Sequence, residues 1–155
     1  METIEIGLAV IDLGTLEVVD KFQHFVRPHI NPILTEFCKA LTSIQQADVD
    51  GASTYAEVGQ ELGAFIARYP NAAWASWGDN DARQLERDAG LAARPSLLAG
   101  LQHFNIRKWH KGLYDDQPKS LNQRVESLGL VWQGNYHRGI DDARNVALIV
   151  KEILG

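Results

Sequence analysis

The sequence predicts an α/β domain, a central sheet covered by helices. Three observations carry this. Two β-branched, apolar segments open the chain, helical and strand-like segments then follow one another, and the last third is mostly helical. At 155 residues the chain suits one domain over residues 1–155, long enough to bury a substantial core. Apolar residues make up 45% and charged residues 23%, a globular balance too apolar for a disordered chain.

Thr3 to Asp12 is apolar and β-branched and reads as a strand buried on much of both faces. Asp12-Leu13-Gly14-Thr15 supplies turn residues. Val18 to Val26, with Val19, Phe22 and Phe25 among polar residues, reads as the second arm of an antiparallel hairpin. The prolines of Arg27-Pro28-His29-Ile30-Asn31-Pro32 take the chain out of the sheet. Thr54 and Glu57 form a capping box, and Tyr55, Val58, Leu62, Phe65, Ile66 and Tyr69 follow at helical spacing up to Pro70. Ala72 to Ser76 reads as a short buried strand, Asp81 to Ala89 as a helix stopped by Gly90, and Phe104 to Arg107 as a further strand. A second capping box at Ser120 and Gln123 opens a helix that ends near Gly129. Asp141 to Leu154 is the last helix, apolar along Ala143, Val146, Ala147, Val150, Ile153 and Leu154.

Composition narrows function. The single cysteine, Cys38, excludes an internal disulfide framework and a cysteine-rich zinc site, and a reduced, cytosolic compartment is the expectation. No apolar run approaches the ~18–20 residues that span a bilayer, and the acidic start Met1-Glu2-Thr3-Ile4-Glu5 is unlike a signal peptide. No membrane partner is expected. The net charge of −5 argues against coating nucleic acid by bulk attraction. The charge is unevenly spread, at −7 over residues 1–100 and +2 over 101–155. Arg107, Lys108, Lys111, Lys119 and Arg124 face only Asp115 and Asp116 within residues 101–124. An acidic body with a basic stretch suits a metal site that handles an anionic substrate, and it equally suits an ordinary solvated surface.

Two segments carry candidate chemistry. His137-Arg138-Gly139-Ile140-Asp141-Asp142 places a histidine five residues before Asp142, at a helix start. An aspartate there also complements the helix dipole, and an exposed histidine needs no role. Ala75-Ser76-Trp77-Gly78-Asp79-Asn80-Asp81 lies where a buried strand gives way to a helix. Strand carboxyl ends are where open α/β sheets bind ligands, although Asp79 or Asp81 also serves as a helix cap. No Gly-x-Ser-x-Gly elbow or phosphate-binding loop supports a small-molecule hydrolase.

Taken together, Ser76-Trp77-Gly78-Asp79-Asn80-Asp81 and His137-Arg138-Gly139-Ile140-Asp141-Asp142-Ala143-Arg144-Asn145 resemble the DEDDh 3′→5′ exonucleases. The similarity is greatest to the branch of the histone-mRNA and RNA-interference exonucleases and the bacterial KapD-like proteins. Ile4-Glu5-Ile6-Gly7, Phe25-Val26-Arg27-Pro28, Asn31-Pro32 and Phe37-Cys38-Lys39-Ala40-Leu41-Thr42-Ser43-Ile44 extend it over nearly the whole chain. The resemblance implies an RNase H-like fold, with a mixed central sheet flanked by helices. It also implies removal of nucleotides from single-stranded RNA or DNA 3′ ends with two Mg²⁺ or Mn²⁺ ions. By position His137 would be the general base, and Asp81 and Asp142 metal ligands. Phe37, Leu41, Thr42, Ile44, Trp77 and Arg138 would face the substrate. Asp79 is out of register with the family ligand, and Asn80 stands where the family often has an aromatic residue.

The family's first motif, Asp-x-Glu on the first strand, has no counterpart between Met1 and the match at Ile4. The expectation is therefore a domain N-terminally incomplete relative to the family, with its first central strand absent from this sequence. Upstream residues or a strand from a partner chain, in a homo-oligomer or by strand exchange, would fill that place. The competing expectation is an RNase H-like module without activity that binds nucleic acid or a protein.

Overall fold

The computed structural model describes residues 1–114, 117 and 119–155; Asp115 and Asp116, counted above against the basic stretch, lie outside the described residues. Strand β1 (Glu5–Ile11) pairs antiparallel with β2 (Val18–Phe25), with Glu5 opposite Phe25 and Leu8 opposite Phe22. The expected hairpin is present. Its turn is set by Asp12, whose carboxylate accepts the backbone N–H groups of Gly14 (2.9 Å) and Thr15 (2.8 Å). Two short helices follow, α1 (Glu36–Thr42), capped by Thr35, and α2 (Gln46–Asp50). Helix α3 (Tyr55–Ile66) starts at the predicted Thr54–Glu57 capping box. Strand β3 (Trp74–Ser76) leads into α4 (Asn80–Ala92), and β4 (His103–Asn105) runs parallel to β3. Helices α5 (Ile106–Tyr114), α6 (Leu121–Ser127) and α7 (Gly139–Leu154) complete the chain.

Several boundaries differ from the sequence reading. Helix α4 continues through Gly90 and stops at Ala93, which takes the left-handed conformation at φ 50°. The strand expected over Phe104 to Arg107 ends at Asn105. There the Asn105 side-chain oxygen accepts the Lys108 N–H at 3.0 Å, which caps α5 at once. Among the described residues the strands form two ladders, β1–β2 and β3–β4, rather than one joined sheet. Register accounts for the open edge of β1. The Val26 N–H donates to Ile4 at 2.9 Å, so the backbone groups of Ile4, Ile6 and Leu8 point at β2 and those of Gly7 and Ala9 point away.

Three apolar clusters hold these elements. Ile6, Phe22, Val58, Leu62 and Phe65 pack the hairpin against α3. Ile106, Val125, Val146, Ile149 and Val150 join α5, α6 and α7. Leu34, Cys38, Ile44 and Val49 close α1 and α2. Helix α7 lies across the other face of β1, and Gly7 is the point of closest approach. A Cβ there would sit 2.2 Å from the Ile140 nitrogen, so the first turn of α7 reaches the strand only because residue 7 is glycine. No helix of the described residues is long and apolar enough to cross a membrane.

Candidate active site

The starts of α4 and α7 bring the two sequence segments together. After β3 the chain turns sharply at Gly78, whose φ of 93° suits glycine. The Ser76 hydroxyl fixes this turn, donating to the Gly78 carbonyl at 2.9 Å while His103 Nε2 lies 2.8 Å from the same oxygen. Asp81 follows in the first turn of α4. Solvent reaches it, yet the protein around it removes part of its water, which pushes its pKa up against the opposing pull of His103.

Asp142 lies in the first turn of α7. Burial, and then the charge of Asp81, raise its pKa to about 7, while the His137 backbone N–H pulls the other way. The charge of Asp81 disfavours ionisation of Asp142, so the two helix starts bring a pair of carboxylates near one another. That donor chemistry fits a hard divalent cation, which prefers carboxylate oxygen and keeps part of its water. Among the described residues no group of three or more His, Cys, Asp or Glu is placed to hold a metal ion.

His137 is exposed and sits in the left-handed region at φ 60°. The loop before it is tied to α7. The Asp141 carboxylate accepts the Asn135 N–H at 2.9 Å, and Asn145 pairs with the backbone of Gln133 through both side-chain atoms, at 3.1 and 2.8 Å. His137 thus stands exposed just before α7, with its backbone N–H on the Asp142 carboxylate.

The other predicted residues separate. Asp79 is held by Asn105 at 2.8 Å and Lys108 at 3.1 Å, which together keep its pKa low, so its carboxylate is committed to those two partners. Phe37 (75% exposed) and Leu41 (40%) stand one turn apart on α1 and form an open apolar surface. Thr42 spends its hydroxyl on the Cys38 carbonyl (2.8 Å) and the Ile44 N–H (3.2 Å). Ile44 departs from the expectation of a substrate contact: it is 1% exposed, because its side chain fills the cluster under α1 and α2. Trp77 is half-buried beside the α5–α7 cluster and donates its indole N–H to the Lys119 carbonyl at 3.1 Å. Arg138 turns away from solvent toward Glu5.

Sequence reasoning missed Glu5, Gly7, Asp141 and Asn145 as parts of this site. The signal for Glu5 was a carboxylate inside a strand read as buried on both faces, which demands a partner. For Asp141 and Asn145 it was their four-residue helical spacing.

A family model described as exonuclease matches residues 1–150. The chain belongs to the exonuclease family. Within it the match is to the DEDDh 3′→5′ exonucleases, and the fold is RNase H-like. A relative, the 3′-5′ exonuclease eri1 of Schizosaccharomyces pombe, is 32% identical over 182 residues, covering 98% of this chain and 60% of the relative. Human 3′-5′ exoribonuclease 1 is 32% identical over 165 residues, covering 99% and 46%. The chain therefore spans about half the length of these curated relatives. Among solved structures, the nuclease domain of 3′hExo, a DEDDh family member bound to rAMP, superposes with a TM-score of 0.93 at 30% identity, over 99% of this chain and 80% of that one. A 3′-exonuclease structure described as 3′-end specific recognition of histone mRNA stem-loop gives 0.90 at 28% identity, over 97% and 71%.

Proposed function

We propose that this exonuclease-family domain hydrolyses single-stranded RNA from its 3′ end, one nucleotide at a time, with a divalent cation, Mg²⁺ or Mn²⁺. The observation that carries the reading is the Asp81–Asp142 pair together with the exposed His137, whose backbone N–H reaches the Asp142 carboxylate. The exoribonuclease relatives and the neighbour bound to rAMP support RNA as the substrate class.

Asp81 and Asp142 would hold the cation, which when bound polarises the scissile phosphate and stabilises the leaving oxygen. His137 takes the proton of the attacking water at an imidazole nitrogen. The water oxygen bonds to phosphorus and the P–O3′ bond breaks. The released 3′ oxygen takes up a proton, leaving a shortened strand and a nucleoside 5′-monophosphate. Phe37 and Leu41 offer an apolar surface on which a terminal base can stack with little sequence preference.

The test is digestion of a 5′-labelled single-stranded RNA in Mg²⁺ or Mn²⁺, with EDTA as control. A ladder shortening from the 3′ end and abolished by EDTA is expected. RNA bound by a well-folded chain without shortening would overturn the enzymatic reading and leave the binding module. A DNA strand of the same sequence, shortened equally fast, would overturn the assignment to RNA.

A further inference from the structure

We infer that Glu5 and Arg138 form a clamp that positions His137, a role resting on the reading of His137 as the reactive base. The Glu5 side chain is only 4% exposed, and its carboxylate meets four donors. Arg138 Nε and Nη2 reach its two oxygens at 3.2 and 3.1 Å, the Gly139 N–H reaches Oε1 at 2.5 Å, and Gln23 Nε2 reaches Oε2 at 2.9 Å. These donors match the four lone-pair sites of a carboxylate, so the group is buried and fully satisfied. The Arg138 side chain is 20% exposed, and its guanidinium carbon lies over the Phe25 ring, 5.3 Å from the ring centre.

The geometry matters because of what lies between its anchors. The residue at the N-cap of α7 is Arg138, and its side chain makes no cap hydrogen bond. The Gly139 N–H is instead capped by a carboxylate 134 residues away in sequence, on β1. On the other side, the Asn135 N–H is held by Asp141. His137 is thus bracketed by two backbone anchors, each ending on a buried or half-buried carboxylate. Its left-handed φ of 60° is a conformation that a non-glycine residue keeps only when its surroundings over-determine it. Glu5 lies on the same strand as Gly7, against which Ile140 is pressed, so β1 and the start of α7 are joined at two adjacent points. Arg138 is therefore a positioning residue acting through Glu5, and its guanidinium is not available to a substrate phosphate without breaking the clamp.

The first test needs no activity. Gly139 lies in the first turn of α7, where a backbone N–H has no partner within the helix. The clamp predicts a protected Gly139 amide in hydrogen exchange, accelerated at least tenfold in Glu5→Ala and to a lesser degree in the isosteric Glu5→Gln. Exchange of Gly139 in the parent as fast as in Glu5→Ala would overturn the clamp, whatever the nuclease assay gives. The second test reads turnover. Arg138→Lys and Glu5→Gln, which retain folded circular-dichroism spectra, should lower kcat about tenfold with KM for RNA within twofold. In a His137→Ala background Glu5→Gln should cause no further loss. A raised KM at constant kcat in Arg138→Lys would mean that Arg138 binds phosphate, and would overturn the positioning role. A further tenfold loss in the His137→Ala background would mean that Glu5 does not act through His137. A parent chain that does not shorten RNA, yet protects Gly139, would sink the base assignment and keep the clamp.

Discussion

Asp142 shows how one residue's ionisation reports the site. Its folded-state pKa of about 7 stands above the ordinary carboxylate value, because burial and Asp81 both oppose its charge. In the unfolded chain it ionises near pH 4. The sign follows: the folded form binds the extra proton, so stability falls as pH rises from about 4 to about 7 and stays lowered above that. Asp142→Asn should therefore match the parent in thermal melting near pH 3.5. It should melt a few degrees higher at pH 8 in EDTA, roughly 2–4 °C for each kcal/mol relieved. Mn²⁺ should remove that advantage by stabilising the parent alone. Equal melting temperatures at pH 8 in EDTA would contradict the buried, like-charged pair. Asp81, His137 and Asp142 could be singled out from the sequence because each sits in a short motif at or just before a helix start, and the structure places Asp81 and Asp142 in first helical turns. The clamp at Glu5 was not legible, since three of its four donors come from Arg138 and Gly139 at the far end of the chain and no local pattern announces them. Ile44 was misplaced because an apolar residue after Leu41 and Thr42 reads the same on either side of a short helix; only packing against Val49 and Leu34 decides it.

Among the elements, the close contact of α7 with β1 is the joint on which the site depends. A methyl group at residue 7 must displace backbone rather than a flexible side chain, since the Gly139 carbon and the Ile140 nitrogen both lie within 2.4 Å of it. Gly7→Ala should lose about 1–3 kcal/mol of stability by overpacking and most of its activity, because the first turn carrying Asp142 moves. Urea unfolding checks the first part, and an unchanged midpoint would contradict the contact. Helices α3 and α6 were legible from their capping boxes, a signal that lies within four residues. Helices α1, α2 and α5 were not. The first two are seven and five residues long, too short to display a period, and lie just after a proline-rich exit from the sheet. In α5 the basic residues Arg107, Lys108 and Lys111 surround the buried Ile106 and His110, so the stretch reads as charged surface.

At the scale of the whole molecule, an antiparallel hairpin and a parallel strand pair are held by helices packed across them. The hairpin and the strand–helix alternation were visible in sequence as periodicity. How the ladders stand to one another was not, since pairing between distant strands leaves no local pattern. The register makes one prediction for β1: the Ile6 and Leu8 amides, bonded to β2, should exchange slowly, and the Gly7 and Ala9 amides on the open edge should exchange quickly. Uniform protection along β1 would mean that a further strand covers that edge.

The carboxylate pair and His137 as one hydrolytic centre are tested most directly by single-turnover shortening of 5′-labelled RNA in Mn²⁺. The parent chain would be compared with Asp81→Asn, Asp142→Asn and His137→Ala, each checked for folding. The account predicts loss of 3′ shortening by about a hundredfold or more in all three. Any one of them turning over at the parent's rate would contradict it.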